Sequence, residues 1–391
     1  MSKIKDIEVF FLEYPFPKKL GYKYSGGLVE NMIVAIIKVT DSNDNYGIGE
    51  ITHGQFTHEP IIGLTKHFRD MLVGSDSHNI NQTWEKMYGS SVFWNREGIG
   101  IGVMGGINIA LYDLLGKNLK VPVYQLIGGL NKTKIRIYAS NGLFDNKDQL
   151  IEDARKAYNL GFRIYKMRVV EPSSIIELVH EFKKEFKDKM DLIVDAVQGS
   201  TSNPWATKVS INIAKKLEKY EVLFFEEPCR VENLDGYKEI KSNTNLNIAG
   251  AESIPTARAF KPYFENNVFD VVQFDIATSG FTEGRRIADM AYVYNKPVAI
   301  HSWGSAISTM AGIHFSLSIP NAAFTEYCFM DHPINRSLFE NETINISDGY
   351  VEPPKTYGLG IKFDENLTKE FPYKEKINTM ILTDKEDIGL K

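Results

Sequence analysis

The stretch Val222-Leu-Phe-Phe-Glu-Glu-Pro228 is an apolar run that stops on two carboxylates and a proline. Its aliphatic and aromatic residues suit a strand covered on both faces, whereas Glu226 and Glu227 at its end require water, a partner or a cation. Side chains alternate along a strand, so the two acids point opposite ways. Glu226 is expected to be the middle ligand of a metal site, and Glu227 a supporting acid or the partner of a neighbouring cation. Working outward, Lys166 and Arg168 end one β-prone run, Asp195 ends the next, and Glu226, Glu252, Asp275, His301 and Glu326 follow in turn. Counted from Lys166 the intervals are 29, 31, 26, 23, 26 and 25 residues, each about the length of one strand-helix unit.

That rhythm predicts the fold. β-prone runs cover Lys134–Ser140, Arg163–Val169, Asp191–Ala196, Val222–Glu227, Asn247–Glu252, Asp270–Ala277, Pro297–Trp303 and Phe324–Cys328. Helical patterns such as Asp148–Leu160, Ser173–Lys187, Ala206–Lys219, Pro255–Glu265 and Thr282–Tyr294 lie between them. Eight strands alternating with helices predict an α/β fold of the TIM barrel type, a doubly wound open sheet being the alternative. Upstream, Ile4 to Phe16 and Asn31 to Ile51 read as an antiparallel meander, and Glu59 to about Lys120 turns helical. The expected division is an N-terminal α+β domain over residues 1–130, the barrel over 131–348, and a tail over 349–391 that folds back onto the first domain.

With 45 basic against 50 acidic residues and a net charge of −5, the composition gives no reason to expect a nucleic acid or an anionic membrane as partner. The opening Met-Ser-Lys-Ile-Lys-Asp lacks a signal-peptide core and no apolar run is expected to span a membrane, so the expected location is cytoplasmic. Two cysteines, Cys229 and Cys328, make no disulfide framework and no thiolate cluster; a metal must be held by oxygen or imidazole.

In a barrel the C-terminal strand ends converge on one mouth. Four or five carboxylates crowded there need a positive charge, and oxygen ligands from Asp195, Glu226 and Glu252 suit a hard cation, Mg²⁺ first. Such a cation polarises a substrate carboxylate and offsets the charge that develops when its α-proton is removed. His301 with Asp275 reads as a base and the acid that orients it; Lys166 neutralises substrate charge or shuttles a proton. Taken singly, each has a plainer reading: a helix cap, a surface ion pair, a structural histidine. Recurrence at one phase of seven consecutive strands favours the site.

The chain resembles the enolase superfamily, in its mandelate racemase-like branch. The likeness rests on Tyr46-Gly-Ile-Gly-Glu50, Pro122-Val-Tyr-Gln-Leu-Ile-Gly-Gly129, Gly161-Phe-Arg-Ile-Tyr-Lys-Met-Arg168, Val194-Asp195, Phe225-Glu-Glu-Pro228, Gly250-Ala-Glu252, Val272-Gln-Phe-Asp275 and Ile300-His301. It implies a (β/α)₇β barrel under a capping domain, Asp195, Glu226 and Glu252 as Mg²⁺ ligands, an Asp275–His301 dyad, Glu326 bonded to the substrate carboxylate, and a homo-oligomer, a dimer or an octamer. Two positions depart from the family pattern. Arg168 stands where a second basic lysine is common, and Val197 where an asparagine is common. A guanidinium is a poor general base, which leaves one clear base and favours dehydration of an acid sugar to a 2-keto-3-deoxy acid over racemisation or epimerisation. A non-catalytic sugar-acid binding protein is the third reading. Tyr22, Lys23, Tyr24 and His53, with Lys18, Lys19 and His58, are candidates to meet the distal end of the substrate, against the plainer reading of solvated loop residues.

Overall fold

The chain opens with β1 (Ile4–Pro15), a short hairpin of β2 (Tyr22–Tyr24) and β3 (Gly27–Val29), then β4 (Asn31–Asp41) and β5 (Tyr46–Ile51). In this computed structural model the described residues are 2–374, apart from 17–21, 25, 26, 30, 145, 170, 202, 331 and 341–343. Strands β1, β4 and β5 form an antiparallel sheet in that order, with Phe11 opposite Ala35 and Ile37 opposite Gly49. Against it lie α1 (Glu59–Leu72), α2 (Ile80–Ser91) and α3 (Ile99–Leu119), burying Phe68, Trp84, Met87 and Ile107 in a core of their own.

Helix α3 corrects the expectation that no apolar run could span a membrane only as to length: by length and composition it passes the test for a membrane span, though it is mostly buried. It is apolar all round because it is covered all round, the signature of a core helix. One side meets β5, where a Cβ at Gly49 would stand 2.1 Å from the Gly106 carbonyl oxygen; only glycine permits that approach.

After α4 (Val123–Leu126) the barrel runs β6 (Ile135–Leu143), α5 (Lys147–Asn159), β7 (Ile164–Arg168), α6 (Ile175–Phe186), β8 (Asp191–Asp195), α7 (Thr207–Leu217), β9 (Phe225–Glu226), α8 (Leu234–Ser242), β10 (Ile248–Gly250), α9 (Ala257–Glu265), β11 (Val271–Val272), α10 (Ile276–Val293), β12 (Val298–Ile300), α11 (Ala306–Ser318) and β13 (Ala322–Cys328). All eight strands are parallel neighbours, and β13 pairs with β6, Thr325 opposite Ile137, to close the sheet. Closure decides for a barrel over an open doubly wound sheet. The regular strands are shorter than the β-prone runs: Val222–Glu227 contributes only Phe225 and Glu226. Helix α10 begins at Ile276, not Thr282, because Asp275 caps it; Gly280 (φ 63°, ψ 179°) then breaks the helix before its regular part.

Past β13 come α12 (Pro333–Leu338), β14 (Tyr350–Val351) and α13 (Leu367–Glu370). β14 adds antiparallel to β6, after which the tail meets the N-terminal elements: Leu359 N–H donates to Asp113, Phe363 lies 5.1 Å from the Phe10 ring, and Pro372 bridges to Leu12.

Candidate active site

Strand parity positions the site. Tyr138, Ile164, Ile193, Phe224, Ala249, Val271 and Ala299 form one buried cluster, with Phe324 packed beside it. The residue two places on from each points to the same face, one layer nearer the C-terminal mouth. Lys166 thus follows Ile164, Asp195 follows Ile193, Glu226 follows Phe224, His301 follows Ala299 and Glu326 follows Phe324. Residues of the other parity, among them Tyr165, Met167, Leu192 and Val194, pack outward in the main core.

Glu252 falls out of this phase, three residues beyond Ala249, and Ala251 between them takes φ 91°. The two preceding strand ends turn left-handed as well, at Val197 (φ 54°) after Asp195 and at Glu227 (φ 43°) after Glu226. Three adjacent strand ends therefore each hold a non-glycine residue in a region that costs roughly 1–3 kcal/mol, a pattern found where backbone serves a site.

Lys166, 1 % exposed, places its Nζ 2.8 Å from Glu226, 2.9 Å from Glu326 and 3.7 Å from Asp195. Arg168 lies 3.4 Å from both Asp195 and Glu326 and donates to the Asn141 carbonyl. His301 Nδ1 is 2.7 Å from Asp275 Oδ2, while its Nε2 faces Glu252 at 3.2 Å and Glu326 at 3.5 Å. A carboxylate only accepts, so Nδ1 carries a proton toward Asp275, and as placed Nε2 carries one toward Glu252 and Glu326; Nε2 is the nitrogen that faces the ring. Asp275 Oδ1 accepts from Thr278 N–H (2.6 Å) and from the Thr52 hydroxyl (3.0 Å). Glu326 Oε2 accepts from Ser302 N–H at 3.1 Å.

These contacts set the proton affinities. Burial alone would lower the His301 pKa, but Glu252, Glu326 and Asp275 outweigh it and push it up to about 10. Burial likewise opposes charge on Lys166, and Glu226 and Glu326 overcome it, holding its pKa well above the usual lysine value. Burial raises Glu226 to about 7, Lys166 opposing while Asp195, Glu252 and Glu326 add to the rise. Glu326 is also buried, yet Lys166, His301 and Arg168 hold it well below the usual carboxylate range. Glu227 is pushed well up, first by burial and then by Glu252, Asp195 and Glu226; its carboxyl is packed where a Gly199 side chain would otherwise stand. Among the described residues no ion pair reaches it, so of its two expected roles the cation partner is not found.

Asp195, Glu226 and Glu252 come from neighbouring strand ends, Asp195 in register with Glu226 and Glu226 with Ala249. As placed they do not converge: among the described residues no three His, Cys, Asp or Glu groups stand ready to hold an ion. Lys166 engages Glu226 and Asp195, and His301 engages Glu252. The donor set nonetheless fits a hard divalent cation. Asp195, Glu226, Glu252, Asp275 and Glu326 oppose Lys166, Arg168 and His301, leaving the ring two positive charges short of balance, and Glu226 Oε2 is buried without a hydrogen-bond partner.

The capping domain reaches this ring through β5. Glu50 accepts from Ser305 N–H (3.0 Å), the Ser305 hydroxyl (2.7 Å) and Ser308 N–H (3.0 Å), capping α11 just beyond His301. His53 is half-buried against Gly102 of α3; burial lowers its pKa while the Asp275 charge acts the other way. His58 instead packs on Phe11 and Tyr373 and bonds the Tyr373 hydroxyl, a setting within the cap rather than at the substrate end. Tyr22–Tyr24 form β2, whose backbone approaches β6; Lys18 and Lys19, like the side chains of Tyr22, Lys23 and Tyr24, lie outside the described residues. Sequence reasoning missed Thr52 and the capping role of Glu50; the signal for Glu50 was an acid ending the Gly-Ile-Gly strand.

Residues 149–367 match the enolase C-terminal domain-like family, and residues 6–128 match the N-terminal domain of the mandelate racemase / muconate lactonizing enzymes. The chain belongs to this family. It is therefore a member of the enolase superfamily, in the mandelate racemase-like subgroup. An arabinonate dehydratase of Saccharolobus solfataricus is 27% identical over 355 residues, covering 89% of this chain and 93% of that one. A D-galactonate dehydratase of Ralstonia pickettii is 32% identical over 317 residues, covering 77% and 81%. The crystal structure of the 3,6-anhydro-D-galactonate cycloisomerase from Zobellia galactanivorans superposes with a TM-score of 0.83 at 27% identity, covering 94% of this chain and 99% of that one.

Proposed function

We propose that this enzyme is a lyase that dehydrates a sugar acid, an aldonate or an aldarate, to a 2-keto-3-deoxy acid with Mg²⁺ as cofactor. The observation that carries the reading is the inequality of its bases. His301 has Nδ1 anchored on Asp275 and becomes a base at Nε2 once it gives up the proton that Glu252 and Glu326 hold there, whereas Lys166 is locked between two carboxylates and Arg168 is a guanidinium. A racemase or epimerase needs a competent base on each face of the α-carbon; this ring supplies one. The dehydratase relatives point the same way.

Mg²⁺ held by Asp195, Glu226 and Glu252 would polarise the substrate carboxylate and offset the charge that grows on it. Lys166 and Arg168 add positive charge beside that carboxylate, and Glu326, an acceptor while ionised, would donate a hydrogen bond to it only after taking up a proton. His301 Nε2, in its unprotonated form, removes the α-proton; the imidazolium then returns a proton to the departing β-hydroxyl. His53 and the β2–β3 hairpin are assigned to the distal end of the substrate.

Purified protein with Mg²⁺ should turn over at least one member of an aldonate and aldarate panel, read by 2-keto-acid formation, and His301→Asn should abolish it. Full turnover by that variant would remove the assigned base. Proton NMR in D₂O separates the alternatives: an epimerase yields deuterated substrate stereoisomers and no keto product, and a binding protein yields no exchange at all.

A further inference from the structure

We infer that Thr52 is a positioning residue, a hydroxyl lent by the capping domain that fixes the plane of Asp275 and through it the aim of His301. The inference deepens the proposed function and rests on reading His301 as the base. Asp275 Oδ2 receives His301 Nδ1, so the direction of that bond depends on how the carboxylate plane is turned. The terminal torsion of an aspartate is broad, and one donor on Oδ1 leaves it free to swing. Here Oδ1 has two donors from different parts of the chain: Thr278 N–H inside the barrel and the Thr52 hydroxyl from the turn that follows β5. Two donors converging on one oxygen hold the plane.

The donor itself is held. Thr52 is β-branched and restricted in χ1, and its turn follows a strand packed on α3. Helix α3 grips the first turns of α10 directly: a Cβ at Gly105 would meet the Thr278 carbonyl oxygen at 2.2 Å, and the Asn108 side chain both accepts from Thr282 N–H (3.1 Å) and donates to its hydroxyl (2.9 Å). The cap therefore cannot shift without carrying the Thr52 hydroxyl and the seat of Asp275 together.

The test needs no substrate. In ¹⁵N-histidine-labelled full-length protein, the His301 Nδ1–H resonance, assigned by its absence in His301→Asn, should be sharp in wild type and in Thr52→Ser. It should be lost to exchange in Thr52→Val and Thr52→Ala. Thr282→Val, which removes the hydroxyl's cap–barrel hydrogen bonds to Asn108 and Asn81 without touching Asp275, should retain it. An unchanged resonance in both Thr52→Val and Thr52→Ala overturns the inference, as does its loss in Thr282→Val, which would reduce the effect to loosened domains. With a sugar acid that wild type turns over, Thr52→Val should lose kcat on the order of ten-fold with KM unchanged, and Thr52→Ser should restore it. If no sugar acid is turned over, the proposed function fails while the resonance still decides this inference.

Discussion

Replacing Lys166 by methionine, close in length and volume, removes one ammonium and little else. In the structure that ammonium stands 2.8 Å from Glu226 and 2.9 Å from Glu326, and all three side chains are at most 1 % exposed. Glu326 retains Arg168 and Ser302; Glu226 is left facing Asp195 and Glu252 with no cation beside it. Breaking a buried pair in this way costs about 3–5 kcal/mol. At about 2.1 cal/mol/K per residue, 391 residues give an unfolding entropy of about 0.8 kcal/mol/K, so the midpoint should fall by roughly 4–6 °C. Differential scanning calorimetry in EDTA reads the fall, and the same scan in excess Mg²⁺ should recover more stability in the variant than in wild type, because the freed carboxylates gain a divalent partner. Equal midpoints for variant and wild type in EDTA would refute the claim that Lys166 neutralises the ring.

Val197→Asn should stabilise the protein by about 1 kcal/mol in urea titration, since asparagine tolerates the left-handed backbone that valine strains to adopt. Gly105→Ala should cost about 1–3 kcal/mol and lower activity with it, because the new methyl group drives α3 off the first turn of α10. His314 gives a pH signature. Burial, opposed by its bond to the Leu359 carbonyl, lowers its pKa from 6.5 to about 4, so the unfolded chain binds the proton more tightly. Its contribution is complete above the unfolded pKa and is lost as pH falls through the folded one, about 3 kcal/mol in all. Urea midpoints across that window should slope less steeply in His314→Gln.

The barrel and most of its ring were legible because each strand-helix unit ends in a polar residue, in most units two places beyond an apolar residue of the lumen. Ile164 and Lys166, Ile193 and Asp195, and Phe224 and Glu226 all obey that parity. Glu252 was found by its interval and by the Gly250-Ala-Glu252 motif, and the left-handed turn at Ala251 that accompanies its change of phase has no mark in the sequence. Helix α11 was not singled out because it is buried on every side and shows no amphipathic period. Thr52 was invisible for another reason: a hydroxyl 223 residues from its acceptor becomes informative only when two domains are docked.

Glu50 caps a barrel helix that begins some 255 residues later in the chain. The amides at the head of α11 thus depend on an acid encoded in the other domain. Recombination that joins this barrel to a foreign cap would leave those amides bare unless the incoming strand ends in an acid at the same height. Cap and barrel are therefore complementary at this point, and an exchanged cap must supply the same acid to keep the head of α11 satisfied.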